Sequence, residues 1–347
     1  MNTATVIEHF KPAPLMALSV LDALARALRT DGQFPPPLGE IRCEITAATA
    51  PAARTFDPPR VLHAFRNRSG YLVLDGTYVD SAEPARRWPL GPGTYRVRVR
   101  GDYYQDAELA LIWPPPEGVR RIDVPQPQAN DAGSVTLLPG PAYPLPDVTT
   151  SRFDLGPTLL RGSALGADGT PLPGIRVEAL NIGPPFLAPA ALPAIGDWPF
   201  LVADTDARGE WALVLPDRRY FDNTPEIASQ PVIKPISVRI AYPGGAVVRQ
   251  RNVRLGSETA LKNTALRGQV LGRGGTPVAG AVISTSVNAR RSKSRADGTW
   301  FLYFDLNQVA VPNLTVTATT PAGATATVAA IALQPEAVVV VPTFHIP

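Results

Sequence analysis

The side chains best able to do chemistry in this 347-residue chain are few: three histidines, His9, His63 and His345, and one cysteine, Cys43. A zinc peptidase needs paired ligands on one element, as in H-x-x-E or H-E-x-x-H, so that two side chains reach one ion. No such spacing occurs, and three scattered histidines do not make a three-histidine site. Cys43 reads as a small buried apolar residue, and a single cysteine forbids an intrachain disulfide. As a nucleophile its thiol would need one of those imidazoles as a base.

The remaining motifs reduce to turns. "RGSALG" (Arg161–Gly166) lacks the G-x-S-x-G spacing of a nucleophile elbow. "GRGGTP" (Gly272–Pro277) is glycine-rich, but no Lys-Ser/Thr follows to complete a phosphate loop. "DTDARGE" (Asp204–Glu210) has the spacing of half a calcium loop, yet position twelve is Leu215 instead of a bidentate Glu. A hairpin turn is the expectation there. Carboxylate pairs for glycoside hydrolysis would need a sugar platform, and no Asp or Glu stands beside an evident one. The chain is therefore expected to hold no catalytic residue, no cofactor and no metal, and not to be an enzyme. An enzyme with its site on sandwich loops ranks third among the readings.

The formal net charge of +3 argues against a nucleic-acid binder, which presents a dense basic face. One short stretch, "NARRSKSRADG" (Asn288–Gly298), concentrates Arg290, Arg291, Lys293 and Arg295. Either these charges guard a strand edge against pairing, or they contact an acidic partner subunit. No interleaved aromatics accompany them, so single-stranded nucleic acid is disfavoured. The sequons Asn67-Arg68-Ser69 and Asn313-Leu314-Thr315 are read as chance matches.

The elements that must position these residues change character along the chain. In segment 1–34, Leu15, Leu18, Leu21, Leu24, Ala25 and Leu28 recur at helical spacing, with Asp22, Arg26 and Arg29 off that face. The spacing predicts an amphipathic helix that docks on a partner or on its own first sandwich, with Leu18, Leu21 and Leu28 as the candidate partner contacts. Glu8, Asp22 and Arg26 break the pattern of a secretory signal, and no stretch is long enough to span a bilayer. The expectation is a chain made without a classical signal, cytoplasmic or carried in a released particle, with no membrane partner.

From residue 35 the period becomes two. In "TYRVRVR", Tyr95, Val97 and Val99 face one way and Arg96, Arg98 and Arg100 the other, as in a half-buried strand. Thirty-nine prolines imply many loops and strand ends. Residues 35–148 read as a β-sandwich whose last strand is Leu138–Asp147.

The rest of the chain says nearly the same thing twice. "LRGSALGADGTPLPGIRVEAL" (Leu160–Leu180) returns as "LRGQVLGRGGTPVAGAVISTS" (Leu266–Ser286), about 106 residues later. "DARGEWALVLP" (Asp206–Pro216) returns as "RADGTWFLYFD" (Arg295–Asp305), about 89 residues later. The first copy thus holds about 17 extra residues, which coincide with the Pro- and Ala-rich "NIGPPFLAPAALPAIGDWPF" (Asn181–Phe200). This insertion reads as a lid on its own sandwich or as a docking surface, with Phe186 and Trp198 as its candidate contacts. Repeated motifs argue for repeated domains, 149–258 and 259–347. Each Trp, Trp211 and Trp300, follows a tight Gly turn and should enter a core.

This pattern resembles the carboxypeptidase regulatory-like domain, through Gly162, Gly169, Pro171, Gly174, Gly209 and Trp211, and again through Gly268, Gly275, Pro277, Gly280, Asp297, Gly298 and Trp300. In the first copy Arg208 stands where the family has Asp. The resemblance implies a seven-stranded transthyretin-like β-sandwich that serves as an accessory part, and implies no peptidase. The resulting expectation is a mainly β chain: an N-terminal helix followed by three tandem antiparallel β-sandwiches. Its expected role is structural, as a subunit or decoration of a phage-tail-like or contractile injection particle, or as a homo-oligomer within one. The alternative is a surface adhesin or ligand-binding module.

Overall fold

The computed structural model describes residues 14–28, 36–67, 70–78, 93–113, 121–122, 129–145, 157–180, 182, 198–216, 233–287 and 289–347. The chain divides into two compact units, Met1–Pro144 and Leu145–Pro347.

In the first unit, strands β1 (Pro14–Asp22), β2 (Ile41–Ala50), β3 (Arg54–Arg66), β4 (Tyr71–Tyr78), β5 (Gly93–Gly101), β6 (Ala107–Trp113), β7 (Arg121–Ile122) and β8 (Ala129–Leu137) form one sheet. Its order is β6-β5-β2-β3-β4-β1-β8-β7. The sheet turns back on itself: β6 lies against β8, and Tyr104 bridges to Pro139. The core lies between, built from Ile41, Cys43, Ile45, Val97, Val99, Leu111 and Leu137 among others.

The expected N-terminal helix is largely a strand. β1 runs antiparallel to β4 and parallel to β8, inside the sheet. Met16, Leu18 and Val20 are buried, and so is Ala17 between them. A strand covered on both faces reads as a continuous apolar run, and leucine spacing alone does not separate it from a helix. Among the described residues of this segment, helix is confined to α1 (Ala23–Leu28), where Leu24 and Leu28 are buried. Asp22 caps it: its Oδ1 accepts the Ala25 N–H at 2.9 Å. The expected final strand Leu138–Asp147 is also absent as far as Leu145, because β8 ends at Leu137 and a turn follows, with the Tyr143 N–H bonded to the Gly140 carbonyl at 3.0 Å. Pro139, Pro141 and Pro144 have no N–H to give a ladder.

The second unit contains two sandwiches with one topology. The first has β9 (Thr158–Ser163), β10 (Arg176–Leu180), β11 (Val202–Asp204), β12 (Glu210–Leu215), β13 (Ile233–Tyr242), β14 (Gly245–Arg254) and β15 (Glu258–Leu261). The second has β16 (Ala265–Leu271), β17 (Val282–Thr285), β18 (Ser292–Lys293), β19 (Thr299–Tyr303), β20 (Val311–Thr319), β21 (Thr325–Leu333), β22 (Val338–Val340) and β23 (Phe344–His345). The sheet β11-β10-β13-β14 faces β12-β9-β15, and in the same order β18-β17-β20-β21 faces β19-β16-β22 with β23 beside β16. The boundary expected at 258/259 falls inside β15, which pairs with β9, so the first sandwich extends through Leu261.

The repeated residues are explained by this shared frame. Trp211 stands opposite Gly162 and Trp300 opposite Gly268. Both indoles are fully buried. A Cβ on Gly268 would lie 2.7 Å from Trp300 Cζ2, and one on Gly162 would lie 2.7 Å from Trp211 Cε2. These glycines are therefore strand residues that make room for a ring. Gly209 and Gly298 do occupy turns, at φ 72° and 75°. There a Cβ would also meet the Ala164 or Val270 carbonyl oxygen at 2.5 Å.

Candidate functional site

The residues singled out for chemistry are placed in folding roles or lie outside the described set. Cys43 is buried in β2, and burial first, then the Glu44 charge, pushes its thiol up to about 12. It stays a neutral thiol at physiological pH. His345 sits in β23, His63 is in β3 with its side chain outside the described residues, and His9 lies outside them altogether. Among the described residues no group of three or more His, Cys, Asp or Glu is placed to hold a metal. Asp206 is used by its own turn, accepting the N–H groups of Arg208 and Glu210 at 2.8 Å each. The second copy caps the same turn from Asp297, which accepts the Thr299 N–H at 2.9 Å. Arg208, where the second copy has Asp297, is thus offset by an acid two positions earlier. "GRGGTP" is a 3-10 turn at Arg273–Gly275, and Ser163 of "RGSALG" accepts a bond from Asn263 at 2.6 Å. Among the described residues no helix is long and apolar enough to cross a membrane.

The expected partner contacts fare differently from one another. Leu18 and Leu28 are buried in the first unit and Leu21 is partly buried, so they form its core and not a docking stripe. Phe186 lies outside the described residues. Trp198 is buried, packs edge-on against Phe200, and donates its indole N–H to the Val214 carbonyl at 2.8 Å. That part of the insertion closes over the free side of β12. Arg291, Lys293 and Arg295 are exposed on or beside β18, an edge strand, with Arg295 lying over the Phe301 ring. Arg290 turns inward instead and joins the first sandwich.

Arg290 belongs to a seam that the sequence does not announce. Its guanidinium pairs with Asp305, donates to the Tyr303 carbonyl at 3.1 Å, and lies 5.5 Å from the centre of the Tyr242 ring of the first sandwich. Burial first, and then the Asp305 charge, pushes the Tyr242 hydroxyl up to about 12. Leu306 packs into the first sandwich's core, the cluster that holds Leu160, Trp211 and Leu213. In return Ala167 packs on the core of the second, and its carbonyl accepts the Tyr303 N–H at 2.8 Å. Gly169 leaves space for the Tyr303 ring, since a Cβ would meet Cε2 at 2.8 Å. Arg249 and Arg251 of β14 reach Glu336 of the second sandwich, at 3.7 and 3.0 Å. Glu336, 13% exposed, is held by its N–H on Thr264 Oγ1.

Two further sets were missed from sequence. Thr205 and Ser294 occupy equivalent places: each hydroxyl donates to a carbonyl (Leu172 at 2.5 Å, Val278 at 2.6 Å) and accepts the N–H of Ile175 or Ala281. The signal was present, since both stand six residues before the repeated Trp. In the first unit the buried Asp22 accepts the hydroxyls of Tyr104 and Tyr143 at 2.8 and 2.7 Å. Their separation along the chain, 82 and 121 residues, hides the cluster from any local pattern. Burial first, and then the Asp22 charge, raises both phenols above their ordinary value.

Neither a protein-family model nor a curated protein matches the chain. Among solved structures it is similar to a streptococcal ancillary pilin, at 12% identity over 96% of this chain and 98% of that one, with a TM-score of 0.19. It is also similar to BcpA, the major pilin subunit of Bacillus cereus, at 8% identity over 97% of this chain and 99% of that one, with a TM-score of 0.20. The major pilin SpaD from Corynebacterium diphtheriae gives 10% identity over 96% of each chain and a TM-score of 0.21. At these scores the folds do not superimpose as wholes, so the architecture and the function of this chain are argued from its own strands and side chains.

Proposed function

We propose that this chain is a non-enzymatic structural protein, a stiff tandem-sandwich segment that works within a larger protein assembly. The observation that carries this reading is the seam. Two sandwiches of the accessory kind implied by the carboxypeptidase regulatory-like resemblance share core packing, one ion-pair set, an Arg290–Tyr242 ring contact and a backbone bond. Independent binding modules on a flexible tether have no need of such a joint, whereas a load-bearing spacer does. Cys43 fills a core and Asp206 caps a turn.

Of the two settings, the surface adhesin-type module fits better than the injection particle. Of the partner contacts expected on the particle reading, Leu18, Leu28, Trp198 and Arg290 are spent inside the chain, Arg291, Lys293 and Arg295 stay exposed, and Phe186 lies outside the described residues. A surface spacer needs only length and free sandwich ends. The test is fractionation of native cells with an antibody to the chain, followed by immunogold imaging. Signal on the cell envelope is expected. Co-sedimentation with sheath and tube particles would transfer the protein to the particle setting. A free soluble monomer that turns over a small-molecule substrate would overturn the structural reading.

A further inference from the structure

Each sandwich of the second unit has an end that carries the turn after its first strand, Gly166–Gly169 in the first and Gly272–Gly275 in the second. Left uncovered, such an end would show water the apolar seam between two sheets. In the first sandwich the next domain closes it. Ala167 in the turn accepts the Tyr303 N–H, and Leu306, just beyond, is buried in the cluster that holds Trp211. Phe304 fixes this loop by donating its N–H to the Thr264 carbonyl at 3.0 Å.

At the equivalent end of the second sandwich the chain's own tail does the same work. Leu261 ends β15 opposite Gly162. Val341 follows β22, whose Val340 stands opposite Arg267, the neighbour of Gly268. Leu261 and Val341 are therefore counterparts, and both are buried. From Leu261 the chain crosses into the second sandwich. From Val341 it turns along β16 instead: Phe344 pairs with Val270, His345 with Leu271, and the Ile346 N–H reaches the Leu271 carbonyl at 2.8 Å, next to the turn. The tail alternates, with Phe344 and Ile346 buried and His345 and Pro347 exposed. Phe344 and Ile346 join the core that holds Trp300, and the Phe344 and Trp300 rings lie 6.0 Å apart.

The residues that receive a neighbour on the first sandwich are not repeated on the second. Strand register sets Val328 where Arg249 stands, Ile331 where Arg251 stands and Thr320 where Tyr242 stands. A Cβ on Gly275 would meet nothing within 4 Å, whereas one on its counterpart Gly169 would meet the Tyr303 ring.

We propose that the tail Pro342–Pro347 is an end cap built into the chain. It fills on the second sandwich the place that Leu306 fills on the first, and so shuts that end against a further sandwich of the same kind. A close-packed core end has room for one occupant, so the tail and an incoming loop exclude each other. Repeat arrays close their terminal units by the same logic. The inference takes the joint as its template and holds whichever assembly the chain serves.

The experiment uses two peptides, a labelled one spanning Pro342–Pro347 and an unlabelled one spanning Phe304–Val309, with binding read by fluorescence anisotropy. The wild-type chain should refuse the labelled tail peptide, because its site is filled. A chain ending at Val341 should bind it, and the Phe304–Val309 peptide should displace it. Should the shortened chain not fold, full-length Ile346→Ser, which loosens the tail and keeps β23 in place, should take up the tail peptide that wild type refuses. A tail peptide that binds neither variant overturns the inference, as does one that the loop peptide cannot displace. Equal uptake by wild type and variants also overturns it, since the peptide would then sit elsewhere. Failure of these peptides while β12 and β19 still open together removes the cap and leaves the joint, and with it the assembly reading, standing.

Discussion

At the residue scale, the repeated glycines and tryptophans are one device. Trp211 and Trp300 fill the two cores only because Gly162 and Gly268 opposite them have no side chain. Trp211→Ala or Trp300→Ala should each cost about 3–5 kcal/mol, as large buried aromatics do. Gly162→Ala should also destabilise, and combining it with Trp211→Leu should cost less than the sum, since the smaller residue vacates the place the methyl needs. Thermal melts of these variants would show it. Asp22 is the corresponding polar anchor of the first unit. Tyr104 and Tyr143 have phenols raised above the ordinary tyrosine value of about 10. The folded state therefore holds these protons more tightly than the unfolded one. Stability from them is complete below about pH 10 and is lost as pH rises towards the folded values. A melt series from neutral to strongly alkaline pH should show the first unit weakening, and Tyr104→Phe with Tyr143→Phe should flatten that dependence. Cys43 should resist alkylation in the native protein at mildly alkaline pH and react on unfolding, as mass spectrometry would report.

At the scale of elements, β1 decides the first unit. Paired on both sides, by β4 and β8, it cannot be removed without leaving two unpaired edges and an open core. Deleting residues 1–31 should therefore unfold the first unit and leave the second folded, with hydrogen exchange separating the two outcomes. A helix docked on the outside would have been dispensable. The contrast shows what local pattern can carry. Alternating strands such as β5 were legible because one face of each meets water. The turns around Gly209 and Gly298 were legible because they need left-handed backbone. β1 was not, because a strand buried on both faces has lost the alternation that would identify it. The pairing of Trp with Gly, and of Thr205 with Ser294, lay in the repeat but became interpretable only once the strand register set them opposite their partners.

At the scale of the molecule, the repeat marked two domains but not the joint between them. Arg249, Arg251 and Glu336, or Tyr242, Arg290 and Asp305, have nothing in common with their counterparts in the other copy, because a seam uses opposite ends of the two sandwiches. Repetition marks what the copies share and is silent on what joins them. On the proposed reading, the joint lets the two sandwiches act as one stiff segment. It also makes their stabilities interdependent, since removing one partner of a largely buried ion pair leaves the other charge uncompensated, at a cost of about 1–3 kcal/mol for pairs with residual exposure. The measurement that tests this most directly is native-state hydrogen exchange on the full chain, comparing amides of β12 with those of β19. The account predicts that both strands open with the same free energy in the wild type, and that Glu336→Ala with Asp305→Ala splits them into two. Two distinct opening free energies in the wild type, unchanged by those substitutions, would contradict it.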